Sequence, residues 1–251
     1  MLFSRKKQRL PAFYTDVERT ALEAHITKYF GNIAAVIHDI DSSDINVDIA
    51  VIAPTSERNF FTLVTIGMGA YRMERPREMS KFEIIPEYAE LLICLPPDWD
   101  MQGILKGATH DKNCYWPVRL LRDTAHIPAQ DNILIDQGSF FSTERPYADN
   151  TKLCGVLAAG PDNVFDEVSW DTEKHFDVCV MPGGKEVNFF QLVPLYRDEI
   201  EYLSLHAGTS NEEEAIFYDY LYTRGTVTLE NAVFSMIVDI TRKSIMDYID
   251  A

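Results

Sequence analysis

No apolar run in this chain of 251 residues is long enough to span a bilayer, no C-x-x-C pair occurs among its four cysteines, and basic residues are scarce, 23 against 39 acidic ones. Each shortage excludes something. Without a long apolar run there is no helical membrane span. Cys94, Cys114, Cys154 and Cys179 lie too far apart for a zinc knuckle, and the apolar surroundings of three of them suit small buried hydrophobes. A formal charge of -16 and a pI near 4.7 repel phosphate backbones and anionic lipid. Nucleic acid and membrane surfaces are therefore poor partners and a basic protein a good one. The N-terminal MLFSRKKQR is basic, but no apolar h-region follows it. It is not a secretory signal, and the expected compartment is the cytoplasm.

Catalytic and ligand-binding motifs are equally sparse. Gly67-Met68-Gly69 would open a dinucleotide fingerprint only if Arg72 were glycine, and no G-x-S-x-G elbow occurs. Gly184-Lys185 lacks both the first glycine and the Ser or Thr of a phosphate loop, since Cys179 and Glu186 stand there. Asp39, Asp41, Ser43 and Asp44 begin like a calcium loop, but Asp44 takes the glycine position and Ala50 the position of the bidentate Glu. The six histidines are scattered without H-E-x-x-H; His110 and Cys114 could share a helix face but have no further ligand. No metal and no cofactor is expected.

What is present is a well-patterned apolar chain, 46% hydrophobic and 12% aromatic, enough for one domain with a substantial core. The stretch FFTLVTIGMGA, Phe60 to Ala70, organises it. Both of its faces are apolar, which predicts a central strand covered on each side. The Gly67-Met68-Gly69 turn then lets the backbone approach something closely. Glu90 to Leu95, ending in Pro96-Pro97-Asp98-Trp99, predicts a neighbouring strand. Upstream, Thr15 and Glu18 form a capping box at the start of a helix closed by Gly31. Ile33–Ile40 and Asp44–Ala53 predict a hairpin turning at DSSD.

Downstream, Trp99–Leu105 and Tyr115–Ala125 read as helices, the second with Pro117 in its first turn. Ile133–Ile135, Lys152–Ala158 and Phe176–Met181 read as short strands, the last returning through Pro182-Gly183-Gly184-Lys185 as Val187–Val193. Three helical patterns follow, at Leu195–His206, Asn211–Thr223 and Leu229–Ile249. The predicted organisation is a basic tail over 1–14, a domain over 15–205, and C-terminal helices over 206–251 packed on that domain. From residue 195 onward there are eleven acidic and four basic residues, which concentrates negative charge near the C-terminus.

Five segments, taken in order, resemble the Suppressor of fused domain family in its bacterial form. They are VDIAVIAPT (Val47 to Thr55), FTLVTIGMGA (Phe61 to Ala70), YAELLICLPPDWD (Tyr88 to Asp100), YWPVRLLRDTAHIP (Tyr115 to Pro128) and VNFFQLVPLYRDEIEY (Val187 to Tyr202). The chain departs from the family pattern at Gly69, where serine is usual, and at Ser139, where histidine is usual. The resemblance implies an α+β fold, a mixed sheet sandwich packed with helices and carrying a C-terminal helical extension. It implies a non-enzymatic protein-binding role, sequestration of a transcription factor in animal members and neutralisation of toxins, often nucleases, in many bacterial ones. Two surfaces are candidates for the partner: the turn Gly67, Met68 and Gly69, and the acidic Glu212, Glu213 and Glu214 behind the N-cap Asn211. The alternative is a small-molecule hydrolase or transferase built on Asp48 or Glu90 with His38.

Overall fold

The computed structural model describes residues 11–40, 44–75, 85–107, 111–161, 176–206, 217 and 237–249. Helix α1 (Asp16–Tyr29) starts at the expected capping box. Thr15 N–H donates to Glu18 Oε2 at 2.9 Å, and Glu18 N–H donates to Thr15 Oγ1 at 3.3 Å. It leads to β1 (Ile33–Ile37), β2 (Asp48–Ile52), β3 (Phe61–Ile66), a 3-10 turn (Met68–Ala70) and β4 (Ala89–Leu95). These four strands form an antiparallel meander, so the predicted hairpin and central strand are both present.

The chain then passes through α2 (Met101–Leu105), α3 (Lys112–Asp131), β5 (Phe140–Ser142), β6 (Gly155–Ala159) and β7 (Val178–Val180) before β8 (Glu186–Leu195). β8 pairs parallel with β4 and antiparallel with β6 and β7, giving the order β1-β2-β3-β4-β8-β6-β5. α4 (Arg197–His206) and α5 (Met246–Ile249) close the described chain. This is the expected α+β class with a mixed sheet.

Period-two alternation in β3 and β4 sends side chains to two apolar layers. Leu63, Leu91, Ile93 and Phe190 face α2 and α3, packing with Trp116, Val118 and Leu121. Val64, Ile66, Leu92 and Phe189 face α1, packing with Leu22, Ile26 and Phe30. A third cluster joins Leu157 and Leu195 to Ile200, Leu203, Phe217 and Ile245. All four cysteines are free and buried, and burial pushes the Cys94 thiol up to about 12.

Several local expectations need correction. α3 begins at Lys112, where the Asp111 carboxylate caps Asn113 N–H, so Pro117 lies in the second turn. A proline there orphans the carbonyl four residues back, and Asn150 Nδ2 donates to that Asn113 carbonyl at 3.4 Å. Ile133–Ile135 is not a strand: it follows the left-handed cap at Asn132, and among the described residues no strand pairs with it. The strand in this region is Phe140–Ser142, held by β6. Within Leu229–Ile249, residues 237–245 are not helical. Ile237 bridges Cys94 in parallel and Val238 N–H donates to the Cys94 carbonyl at 2.9 Å, so β4 satisfies backbone that a helix would have paired internally. Asn211–Thr223 falls outside the described residues except Phe217. Among the described residues no helix is long and apolar enough to cross a membrane.

His25 on α1 stacks on the Phe189 ring at 5.1 Å and 8°, with Nε2 2.9 Å from the Phe176 carbonyl. Burial holds its pKa below the ordinary 6.5. The folded state therefore binds fewer protons than the unfolded state in that window. His25 contributes fully above the unfolded value, and the contribution fades as pH falls through 6.5 toward the folded value. Thermal melting between pH 7 and pH 5 should show a falling Tm in the parent and a flatter profile in His25→Phe.

Candidate protein-binding site

The Gly67–Ala70 turn approaches a carboxylate. Glu90, fully buried in β4, accepts the Gly67 N–H at 2.9 Å and the Gly69 N–H at 3.1 Å on Oε1. Tyr14 O–H donates to the same oxygen at 2.7 Å, and Thr65 O–H donates to Oε2 at 2.6 Å. Gly67 has φ 142°, and a Cβ there would lie 1.8 Å from the Asn46 carbonyl oxygen. Gly69 has ordinary backbone and is small for space, since its Cβ would meet Tyr14 Oη at 2.3 Å. Gly67→Ala should cost about 1–3 kcal/mol of strain and displace the turn, which urea denaturation would measure.

The surroundings of Glu90 can satisfy either of its protonation states. Ionised, it takes four donors; protonated, it can donate to Thr65 Oγ1, whose own proton turns to the Leu91 carbonyl at 3.2 Å. Desolvation raises its pKa, and the hydrogen bonds from Thr65, Gly67, Tyr14 and Gly69 work against that rise. Burial first, and then the Glu90 charge, push the Tyr14 phenol well above its usual range.

Beside this node lies a cleft of about 460 Å³. Its acidic lining comes from four separate segments: Glu87 before β4, Asp136 after α3, Asp177 before β7 and Glu186 in β8. Burial pushes the Asp136 carboxyl up despite the hydrogen bond that its Oδ1 accepts from Gln137 N–H at 2.7 Å. A cation arriving here would offset that cost. Glu87 is paired with Arg72. Lys185, which also lines the cleft, is bound at 3.0 Å by Glu18 Oε1.

Met68 is 2% exposed and packs in the core with Leu63 and Leu91. Gly67 and Gly69 are buried, their N–H groups spent on Glu90. Glu212, Glu213 and Glu214 lie outside the described residues, as does His110. His38 Nδ1 sits 3.3 Å from Asp48 Oδ2, but Asp48 also takes Arg19 at 2.9 Å and the Asp39 N–H at 3.0 Å. Among the described residues no group of three His, Cys, Asp or Glu could hold a metal ion. The cleft residues Asp136, Asp177, Lys185 and Glu186 carry no shared motif. Only the Gly183-Gly184 turn before Lys185 hinted at a special backbone there.

No curated protein matches this chain. The sequence profile of the Suppressor of fused protein (SUFU) family matches residues 43–219. A Sufu–Fu complex crystal structure superimposes with a TM-score of 0.57 at 13% identity, covering 96% of each chain. Drosophila Suppressor of Fused gives a TM-score of 0.57 at 15% identity, covering 96% of this chain and 53% of the Drosophila protein. A homologue of suppressor of fused from Neisseria gonorrhoeae gives 0.49 at 19% identity, covering 91% of this chain and 96% of that one. The first two structures share the fold at these identities, and the family profile matches well over half of the chain: the chain belongs to the Suppressor of fused family.

Proposed function

We propose that this chain is a non-enzymatic protein-binding member of the family, an immunity-type inhibitor or regulator that sequesters a basic protein such as a toxin or nuclease. The acidic cleft carries this reading. Asp136, Asp177 and Glu186 converge on one concavity in a chain of formal charge -16, and such a surface attracts and orients a basic partner. Glu212, Glu213 and Glu214 add charge of the same sign. The Gly67-Met68-Gly69 turn serves the surface indirectly, by fixing Glu90 and with it Tyr14. Assembly with another protein is also what a structural neighbour does, in the Sufu–Fu complex.

An active site on Asp48 or Glu90 with His38 finds less support. Glu90 is sealed from solvent with its lone pairs taken, and Asp48 is spent on Arg19 and backbone. Neither is open to a substrate proton. The test is affinity capture from extract of the source cells, followed by mass spectrometry. A basic protein should be retained by the parent and lost from Asp136→Asn/Asp177→Asn/Glu186→Gln. Retention by the triple variant, or capture of acidic proteins alone, would overturn the reading.

A further inference from the structure

Lys185 is held like a ligand. Its ammonium lies 4.7 Å from the Tyr14 ring centroid and 4.5 Å from that of Tyr88, and 3.0 Å from Glu18 Oε1. Two aromatic faces and a carboxylate around one ammonium make a cation cage. Two walls are fixed independently of Lys185, and the third has its backbone fixed. Tyr14 is pinned through its hydroxyl to buried Glu90. Glu18 is locked into the capping box by Thr15, and Tyr88 is tied through its carbonyl to Asn188 N–H at 3.0 Å. The cage adjoins the acidic cleft, since Tyr88 and Lys185 line both.

The occupant's backbone is fixed, since Met181 N–H donates to the Lys185 carbonyl at 2.8 Å and Gly184 N–H to the Met181 carbonyl at 3.0 Å, so only the Lys185 side chain need move to leave the cage. Gly183 and Gly184 precede Lys185 with φ 93° and 84°, and a Cβ at either would meet nothing within 4 Å. The turn stands in open space, and its glycines allow backbone conformations closed to other residues.

We propose that the Tyr14, Tyr88 and Glu18 cage is the subsite for a lysine side chain of the basic partner, with Lys185 as its resident placeholder. The inference rests on the protein-binding reading above and names the chemistry that the partner presents. On binding, the partner's ammonium replaces that of Lys185 one for one, and Lys185 swings into solvent. No extra charge is buried, so the exchange adds no desolvation cost. The placeholder sets a threshold, because the partner must compete with an intramolecular group at high effective concentration.

The probe is N-acetyl-lysine methylamide, titrated while the tyrosine ring resonances are followed by NMR. In Lys185→Ala, half-saturation of the Tyr14 and Tyr88 shifts should come on the order of tenfold lower than in the parent. Lys185→Gln should behave alike and serves if the alanine variant folds poorly. Adding Tyr88→Leu should abolish the gain, and the neutral Nε-acetylated probe should not bind. Equal half-saturation in parent and both Lys185 variants, or equal shifts with the neutral probe, would overturn the cage. Capture of a basic partner that survives Tyr88→Leu but not the triple cleft variant would overturn the cage while leaving the acidic cleft standing.

Discussion

Replacing Arg242 with methionine is expected to lower stability by about 3–5 kcal/mol, the cost of stranding a buried carboxylate. The Arg242 side chain is 7% exposed and that of Glu199 is 0% exposed. The pair is bidentate, Nη1 to Oε1 at 2.5 Å and Nη2 to Oε2 at 2.6 Å. Glu199 also accepts the Tyr196 N–H at 2.7 Å and the Ile245 N–H at 2.8 Å. Arg242 in turn donates to the Pro194 carbonyl at 3.0 Å and stacks over the Tyr196 ring. One ion pair thus ties residues 237–249 to the end of β8 and the start of α4. Arg242→Met with Glu199→Gln should recover part of the loss, since no uncompensated charge remains. Urea denaturation decides it: a single-variant cost of about 1 kcal/mol or less would mean an ordinary surface pair.

The second large effect is expected at Glu90. Glu90→Leu leaves the Gly67 and Gly69 N–H groups and the Tyr14 hydroxyl buried without their acceptor, while Thr65 can still turn to Leu91. At about 1–3 kcal/mol for each orphan, the total approaches the whole stability of a domain, about 5–15 kcal/mol. Glu90→Gln keeps one acceptor and the side-chain volume, and should cost much less. The Gln variant also isolates the pH effect. Because the folded-state pKa is raised, the folded state binds more protons than the unfolded one. This contribution is fully present below the unfolded value of 4.5 and is lost as pH rises through the folded pKa. Stability curves from pH 4 upward should therefore diverge between parent and Gln variant, and superimposable curves would contradict the raised pKa.

Local signals were legible in the sequence, and long-range ones were not. The Thr15 and Glu18 capping box spans three residues and reads directly as the start of α1. The apolar faces of Phe60 to Ile66 likewise reveal a strand covered twice. The glycine turn showed that backbone would come close to something, but its target is Glu90, 23 residues beyond Gly67 and framed by the apolar ELLICL. Nothing in a linear pattern connects those two. Pro117 suggested a helix start because the proline signal is local, while Asn150, which donates to the Asn113 carbonyl freed by Pro117, is 37 residues from Asn113 in sequence. The apolar residues near Ile237 fit a helical stripe until β4 is seen to offer Cys94 as a strand partner. The acidic cleft is assembled from Glu87, Asp136, Asp177 and Glu186, which come together through the pairing of β8 with β4, β7 and β6.

The most direct test of the binding role is the association rate with the captured partner, measured by surface plasmon resonance at low and high ionic strength. For the parent the rate should fall steeply with salt. For Asp136→Asn/Asp177→Asn/Glu186→Gln it should be slower at low salt and nearly independent of salt, with melting unchanged. Neutralising Glu212, Glu213 and Glu214 to Gln should give a smaller change of the same sign. An association rate in the cleft variant equal to that of the parent at both ionic strengths would contradict the account.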